Sequence, residues 1–133
     1  MTEKLTRLSY VEDEPDIRAV AELALMTLGG FDIDVCVDGQ EAVRKIPVFK
    51  PQLILLDVMM PGLDGLQTMT ALREIPETAK TPIIFMTAKA QRNEIQHYID
   101  LGAIDVIPKP FDPMLLPQSI NSIWDRFLEQ QAA

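Results

Sequence analysis

Five polar side chains stand at the ends of strand-like runs. Glu12 and Asp13 follow Leu5–Val11, Asp57 follows Leu53-Ile54-Leu55-Leu56, Thr87 ends the run from Pro82, and Lys109 lies just past Ala103–Ile107. Three carboxylates, a hydroxyl and an ammonium make a useful set only if the fold gathers them. Two carboxylates about 4 Å apart repel by about 4 kcal/mol at an effective dielectric near 20. Lys109 supplies one positive charge toward offsetting that, and the remainder points to a bound divalent cation. An all-oxygen donor set selects Mg2+, with Mn2+ an alternative, over zinc. A carboxylate beside such a cation is a nucleophile toward phosphorus and forms an acyl phosphate. The cation, the ammonium and the hydroxyl then balance charge on the transferring oxygens, which is most of what phosphoryl transfer requires. Each residue alone has an ordinary role as a turn residue, a helix-dipole complement, a strand-end cap or a solvated cation. Their joint placement at four strand ends argues for chemistry.

The elements that must position these groups are legible. Leu53–Leu56, bounded by Pro51 and Pro61-Gly62, reads as a strand buried on both faces, the kind found in parallel sheets covered by helices. Leu5–Val11 is a first strand. Pro15 opens a helix whose stripe is Ile17, Val20, Ala21, Ala24, Leu25 and Leu28, stopped by Gly29-Gly30. Phe31, Ile33, Val35 and Val37 alternate with Asp32, Asp34, Cys36 and Asp38, the pattern of an edge strand with one wet face. Asp38-Gly39 leads into a short helix through Ala42, Val43 and Ile46, closed by Pro47. Asp64 caps a helix from Gly65 to about Arg73. Pro82–Thr87 is a second buried strand, Arg92–Leu101 a helix capped by Gly102, and Ala103–Ile107 a last strand. A final helix carries Leu116, Ile120, Ile123 and Phe127. Pro117 implies a kink there or a true start near Leu116. Strand and helix alternate five times, so right-handed crossovers give an α/β fold: a five-stranded parallel sheet in the flavodoxin-like order 2-1-3-4-5, helices on both faces. Ligands of such sheets bind at the carboxyl ends of the strands.

Bulk properties bound the rest. The chain has 133 residues, 47% hydrophobic and 24% charged, which fits one globular domain with its core over about residues 5–127. Its apolar runs are too short to span a bilayer, and Met1-Thr2-Glu3-Lys4 does not begin a signal peptide. A single cysteine, Cys36, fits a reducing cytoplasm. The net charge of −8 argues against direct nucleic-acid binding, which needs clustered Lys and Arg.

Val11-Glu12-Asp13-Glu14-Pro15, Leu55 through Gly65, Thr87-Ala88 and Lys109-Pro110-Phe111 together resemble the receiver domain of two-component response regulators, over about Leu5 to Phe127. The resemblance implies that Asp57 is the phosphoacceptor, loaded from a histidine kinase or histidine phosphotransfer protein. It implies that Asp13, Asp57 and the Met59 backbone carbonyl are direct Mg2+ ligands, that Glu12 acts through water, and that Thr87 and Lys109 read the phosphoryl group. Lys109-Pro110 is expected to be cis. One departure stands out: the family's rotating Tyr or Phe, three residues before the lysine, is Val106 here. The signal must then leave through Thr87 and the adjoining loop, or by another route. Pro108 stiffens the exit of the last strand. By the resemblance, Met59 and Lys89 lie where the family tunes water access to the acyl phosphate, and neither resembles a side chain that orients an attacking water, so a moderately long-lived phosphoryl state is expected.

These readings describe a binding module, not an enzyme. Since the chain stops soon after its last helix, its output is expected to be a downstream protein partner, a homodimer or a relay, through the last helices and strand. A haloacid-dehalogenase-type phosphatase is the competing class, but it needs a second Asp where Met59 stands. Flavin binding is disfavoured by the acids after the first strand, which repel phosphate. His97 is read as a surface residue, Cys36 as strand filler, and Trp124 as either a partner contact or a cover for the core rim.

Overall fold

The computed structural model describes residues 3–132. Five strands, β1 Arg7–Val11, β2 Asp32–Cys36, β3 Leu53–Asp57, β4 Ile83–Thr87 and β5 Asp105–Pro108, form one parallel sheet in the order β2-β1-β3-β4-β5. Between and after them run α1 Pro15–Thr27, α2 Gly39–Phe49, α3 Gly65–Arg73, α4 Arg92–Asp100 and α5 Leu116–Ala132. The fold is the expected doubly wound sheet.

The strand period divides the core in two. Leu53 and Leu55 of β3 join Leu8, Tyr10, Leu25, Ile120 and Trp124 on the side of α1 and α5. Ile54 and Leu56 join Val11, Ala42, Ile46, Leu72 and Phe85 on the side of α2, α3 and α4. Because both faces of β3 are covered, its sequence is uninterruptedly apolar until the rim is reached at Asp57.

Local chemistry sets the helix ends. Asp38 and Asp64 each accept from a backbone N–H three residues on, and Asp64 and Gln67 bond each other's backbone reciprocally. Gly65 is needed for a second reason. A Cβ there would lie 2.5 Å from the Asp57 carbonyl oxygen and 2.7 Å from the Val58 Cα, so only glycine lets α3 start against the exit of β3.

Several local expectations need correction, and two that the sequence leaves open, at Pro117 and Trp124, are decided. Pro47 does not close α2, which continues to Phe49 and ends where Lys50 turns left-handed at φ 55°. One backbone bond is lost at Pro47. The extra turn is held by Arg7, whose guanidinium lies 4.0 Å from the Phe49 ring centre and donates to the Phe49 carbonyl. The face of β2 bearing Asp32, Asp34 and Cys36 is not simply wet. Cys36 is fully buried beneath α2, and Lys45 reaches down to the Val35 carbonyl (2.9 Å) and Asp34 (3.2 Å). α1 packs through the narrower stripe Ala21, Ala24 and Leu25, leaving Val20 and Leu28 exposed. The first and last strands start later than expected, at Arg7 and Asp105. α5 starts at Leu116, so Pro117 sits in the first turn, where no bond is lost. Trp124 covers the core rim: it is 4% exposed and its indole N–H donates to the Glu3 carbonyl at 2.8 Å.

Candidate functional site

Parallel strands place all their carboxyl ends on one rim. β1 and β3 are neighbours, and the Val11–Leu56 pairing sets Glu12 level with Asp57. One carboxylate oxygen from each of Glu12, Asp13 and Asp57 lies within 4.8 Å of the others. Lys109 follows β5, two strands from β3. Its backbone N–H donates to the Thr87 carbonyl at 2.9 Å, which anchors it at the end of β4. From there its ammonium lies 2.9 Å from Glu12 Oε1 and 3.3 Å from Asp57 Oδ1. The Lys109–Pro110 peptide is cis.

The site is deep. Glu12 is 0% and Asp57 3% exposed, while Asp13 is half-buried. Glu12 accepts from Lys109, from the Tyr10 hydroxyl (3.3 Å) and from the Glu14 N–H (3.3 Å); its backbone carbonyl accepts from Arg18 at 2.8 Å. Three carboxylates face one ammonium, and the imbalance appears as a shifted acidity. Burial, and then the charge of Glu12, push the Asp57 carboxyl up to about 7, with Lys109 pulling the other way. Burial alone would favour a neutral Lys109, but its bond to Glu12 and the charge of Asp57 outweigh that and raise its pKa. Burial and Glu12 together hold Tyr10 firmly in its phenol form.

The other expected residues sit around this centre. Thr87 is buried at the same rim, but its hydroxyl oxygen accepts from the Lys89 N–H at 3.0 Å instead of meeting a carboxylate. Met59 is exposed and lines, with Asp13, Ile17, Asp57, Ala88, Lys109 and Pro110, an open cleft of about 370 Å³. Val106 is buried in the cluster that also holds Phe85 and Tyr98, whose rings meet edge to face at 5.4 Å. An aromatic ring therefore reaches this cluster from α4 rather than from β5. His97 is exposed, and Cys36 is a buried free thiol.

Tyr10 was not among the sequence candidates. Its signal was available: it lies two positions before Glu12, so the strand period puts both side chains on one face.

The donor set fits a hard divalent cation. The three groups are oxygen donors on two adjacent strands, and only one cationic side chain opposes them. Among the described residues, this is the one acidic cluster with metal-binding spacing, and no helix is long and apolar enough to cross a membrane.

Comparison with known proteins places this arrangement. The chain is 34% identical over 122 residues to the transcriptional regulatory protein CseB of Streptomyces coelicolor, covering 92% of this chain and 50% of that protein. It is 42% identical over 106 residues to the transcriptional regulatory protein DltR of Streptococcus agalactiae, covering 80% and 46%. The chain thus spans about half the length of the curated relatives it matches. Among solved structures it superposes on the chemotaxis protein CheY4 of Vibrio cholerae with a TM-score of 0.81 at 26% identity, covering 90% of this chain and 99% of that one. It superposes on the receiver domain of the sensor histidine kinase PA1611 of Pseudomonas aeruginosa with a TM-score of 0.77 at 30% identity, covering 91% and 98%. That structure has a magnesium ion coordinated in its active-site cleft. The model of the response regulator receiver domain matches residues 9–121, a span that contains all of the sheet but the first two residues of β1 and all the rim residues described above, and the chain belongs to that family of two-component signalling domains.

Proposed function

We propose that this chain accepts a phosphoryl group on Asp57 from a histidine kinase or histidine phosphotransfer protein and signals through altered protein binding. The observation that carries this reading is the position of Lys109, bonded at once to Glu12 and Asp57 in a site where three carboxylates converge.

Glu12, Asp13, Asp57 and the Met59 backbone carbonyl would hold Mg2+ (or Mn2+), Glu12 through water. When bound, the ion neutralises charge on the phosphoryl oxygens. Asp57 Oδ attacks phosphorus in line, the bond from phosphorus to the donor imidazole breaks, and the imidazole leaves with the electron pair. Lys109 turns its ammonium from Glu12 and Asp57 toward one phosphoryl oxygen. Thr87, freed from accepting the Lys89 N–H, donates to another. That movement pulls on the loop between β4 and α4. With Val106 in place of a ring on β5, this loop is the route by which the state of Asp57 reaches the surface made by α4, β5 and α5, where a downstream protein or a second copy binds. Phosphorylation shifts a balance between two pre-existing arrangements of that surface. The chain's place is the cytoplasm, with its donor kinase.

The test is incubation with acetyl phosphate and Mg2+ followed by intact-protein mass spectrometry. Gain of one phosphoryl mass by the natural sequence and none by Asp57→Ala is the expected result. Equal gain by both, or none by either, refutes the reading.

A further inference from the structure

Lys109 has two employments in the proposed function, and they conflict. It neutralises Glu12, which is 0% exposed, and it must also turn to the phosphoryl group on Asp57. A fully buried carboxylate that loses its one bonded ammonium, with the cation reaching it only through water, needs another direct donor.

We propose that Tyr10 is a positioning residue whose hydroxyl takes over as the principal donor to Glu12 when Lys109 swings to the phosphoryl group. The inference rests on Asp57 being the phosphoacceptor. Tyr10 and Lys109 address the same oxygen, Glu12 Oε1, at 3.3 Å and 2.9 Å. The hydroxyl distance is long for an O–H···O bond, so it has room to shorten once the ammonium departs. No other protein group among the described residues is placed to do this, and the cation of the proposed function meets Glu12 only through water. Arg18 is engaged at the Glu12 backbone carbonyl, and the Glu14 N–H addresses the other carboxylate oxygen. The Tyr10 ring is itself fully buried in the cluster with Leu8, Ala21, Leu25 and Leu55, so the hydroxyl is held at the end of a fixed lever. Glu12 is the acceptor the structure gives that hydroxyl. A phenylalanine would fill the same core volume without desolvating a hydroxyl, so packing alone does not account for tyrosine.

The experiment uses beryllofluoride with Mg2+ as the phosphoryl probe, titrated into the natural sequence, Tyr10→Phe and Tyr98→Phe. The chain has two tyrosines and one tryptophan, so each variant leaves one tyrosine, whose difference spectrum is read over the Trp124 background. Tyr10→Phe should lower the apparent affinity for the probe on the order of tenfold, the worth of one hydrogen bond to a charged group, with a much smaller change in probe-free thermal midpoint. Tyr98→Phe should keep the natural affinity and show a tyrosine difference spectrum on probe binding as the Tyr10 bond shortens. Equal probe affinity in Tyr10→Phe and the natural sequence, or no difference spectrum in Tyr98→Phe, overturns the role of Tyr10 alone. Failure of the natural sequence to bind the probe overturns the phosphoacceptor reading and this inference with it.

Discussion

Lys109 Nζ lies 3.3 Å from Asp57 Oδ1 although β4 separates the strands that carry them. The contact exists because the lysine stem reaches over the end of β4, where its backbone is tied to the Thr87 carbonyl. It joins the last strand to the middle of the sheet through charge, at the end of the sheet where the apolar run of β3 gives way to Asp57. Removing that ammonium should therefore act on stability as well as signalling. Lys109→Met leaves Glu12 buried without a charged partner, and breaking a buried pair from one side costs about 3–5 kcal/mol. Urea unfolding at neutral pH without divalent cation should show a loss of that order. Mg2+ should restore part of it, since it replaces the missing positive charge. A loss below 1 kcal/mol would mean that Glu12 is relaxed by water instead.

The acidity of Asp57 predicts an inverted pH dependence. Burial and the charge of Glu12 push its carboxyl from the ordinary 3.8 up to about 7, so the folded state binds the proton more tightly than the unfolded chain does. The stability contributed by this group is thus fully present at acid pH and is lost as pH rises from about 4 through about 7, the reverse of an ordinary salt-bridged carboxylate. Asp57→Asn mimics the protonated form. In chelator its thermal midpoint should exceed that of the natural sequence at pH 7.5, with the gap closing toward pH 4.5. Saturating Mg2+ should narrow the gap at pH 7.5 by stabilising the natural sequence. A pH-independent gap would place Asp57 in a better solvated setting than the structure gives it.

Gly65 offers a backbone test of how Asp57 is aimed. A methyl there meets main-chain atoms of Asp57 and Val58, which cannot step aside as a flexible side chain would. Gly65→Ala should destabilise by at least the 1–3 kcal/mol typical of overpacking, and should also slow acetyl-phosphate labelling of Asp57 in the molecules that remain folded. Gly62, which a Cβ would bring only to 3.4 Å from the Gln40 side chain, turns the chain at φ 74° and tests conformation rather than crowding. Its alanine variant should lose stability with less effect on labelling.

The sheet was readable because its signals are one-dimensional. Leu53–Leu56 must be doubly covered, strands and helices alternate, and parallel strands share a rim, so Glu12, Asp13, Asp57 and Lys109 could be placed together before any coordinate was known. Misread features depended on contacts across the chain. Pro47 stays helical because Arg7, forty positions earlier, holds Phe49. Cys36 and Asp34 lose their wet face because Lys45 folds back over β2. Trp124 is not misread: the sequence leaves it open between a partner contact and a cover for the core rim, and the Glu3 carbonyl at the other end of the sequence decides for the rim. Tyr10 was missed for another reason: a tyrosine in an apolar run looks like core, and only the two-residue spacing to Glu12 marks its hydroxyl as more.

The lifetime of the acyl phosphate is set by whether any side chain can hold a water in line with it. The cleft over Asp57 is lined by Met59, Ala88, Ile17 and Pro110, which offer no strong side-chain hydrogen bond, and by Asp13, Glu14 and Lys109, of which Asp13 and Lys109 are committed to the cation and the phosphoryl group in the proposed function. Lys89 is exposed and its backbone N–H is committed to Thr87. Neither Met59 nor Lys89 therefore aligns an entering water, and phosphorylated protein freed of acetyl phosphate should lose its added mass over minutes rather than seconds. Met59→Asn places an amide at the mouth of the same cleft, on an exposed position where the fold tolerates it, and should shorten the lifetime several-fold without altering the thermal midpoint of the unphosphorylated protein. Decay in seconds for the natural sequence would show that a group other than Met59 or Lys89, with Glu14 in the cleft lining the first candidate, directs the attacking water.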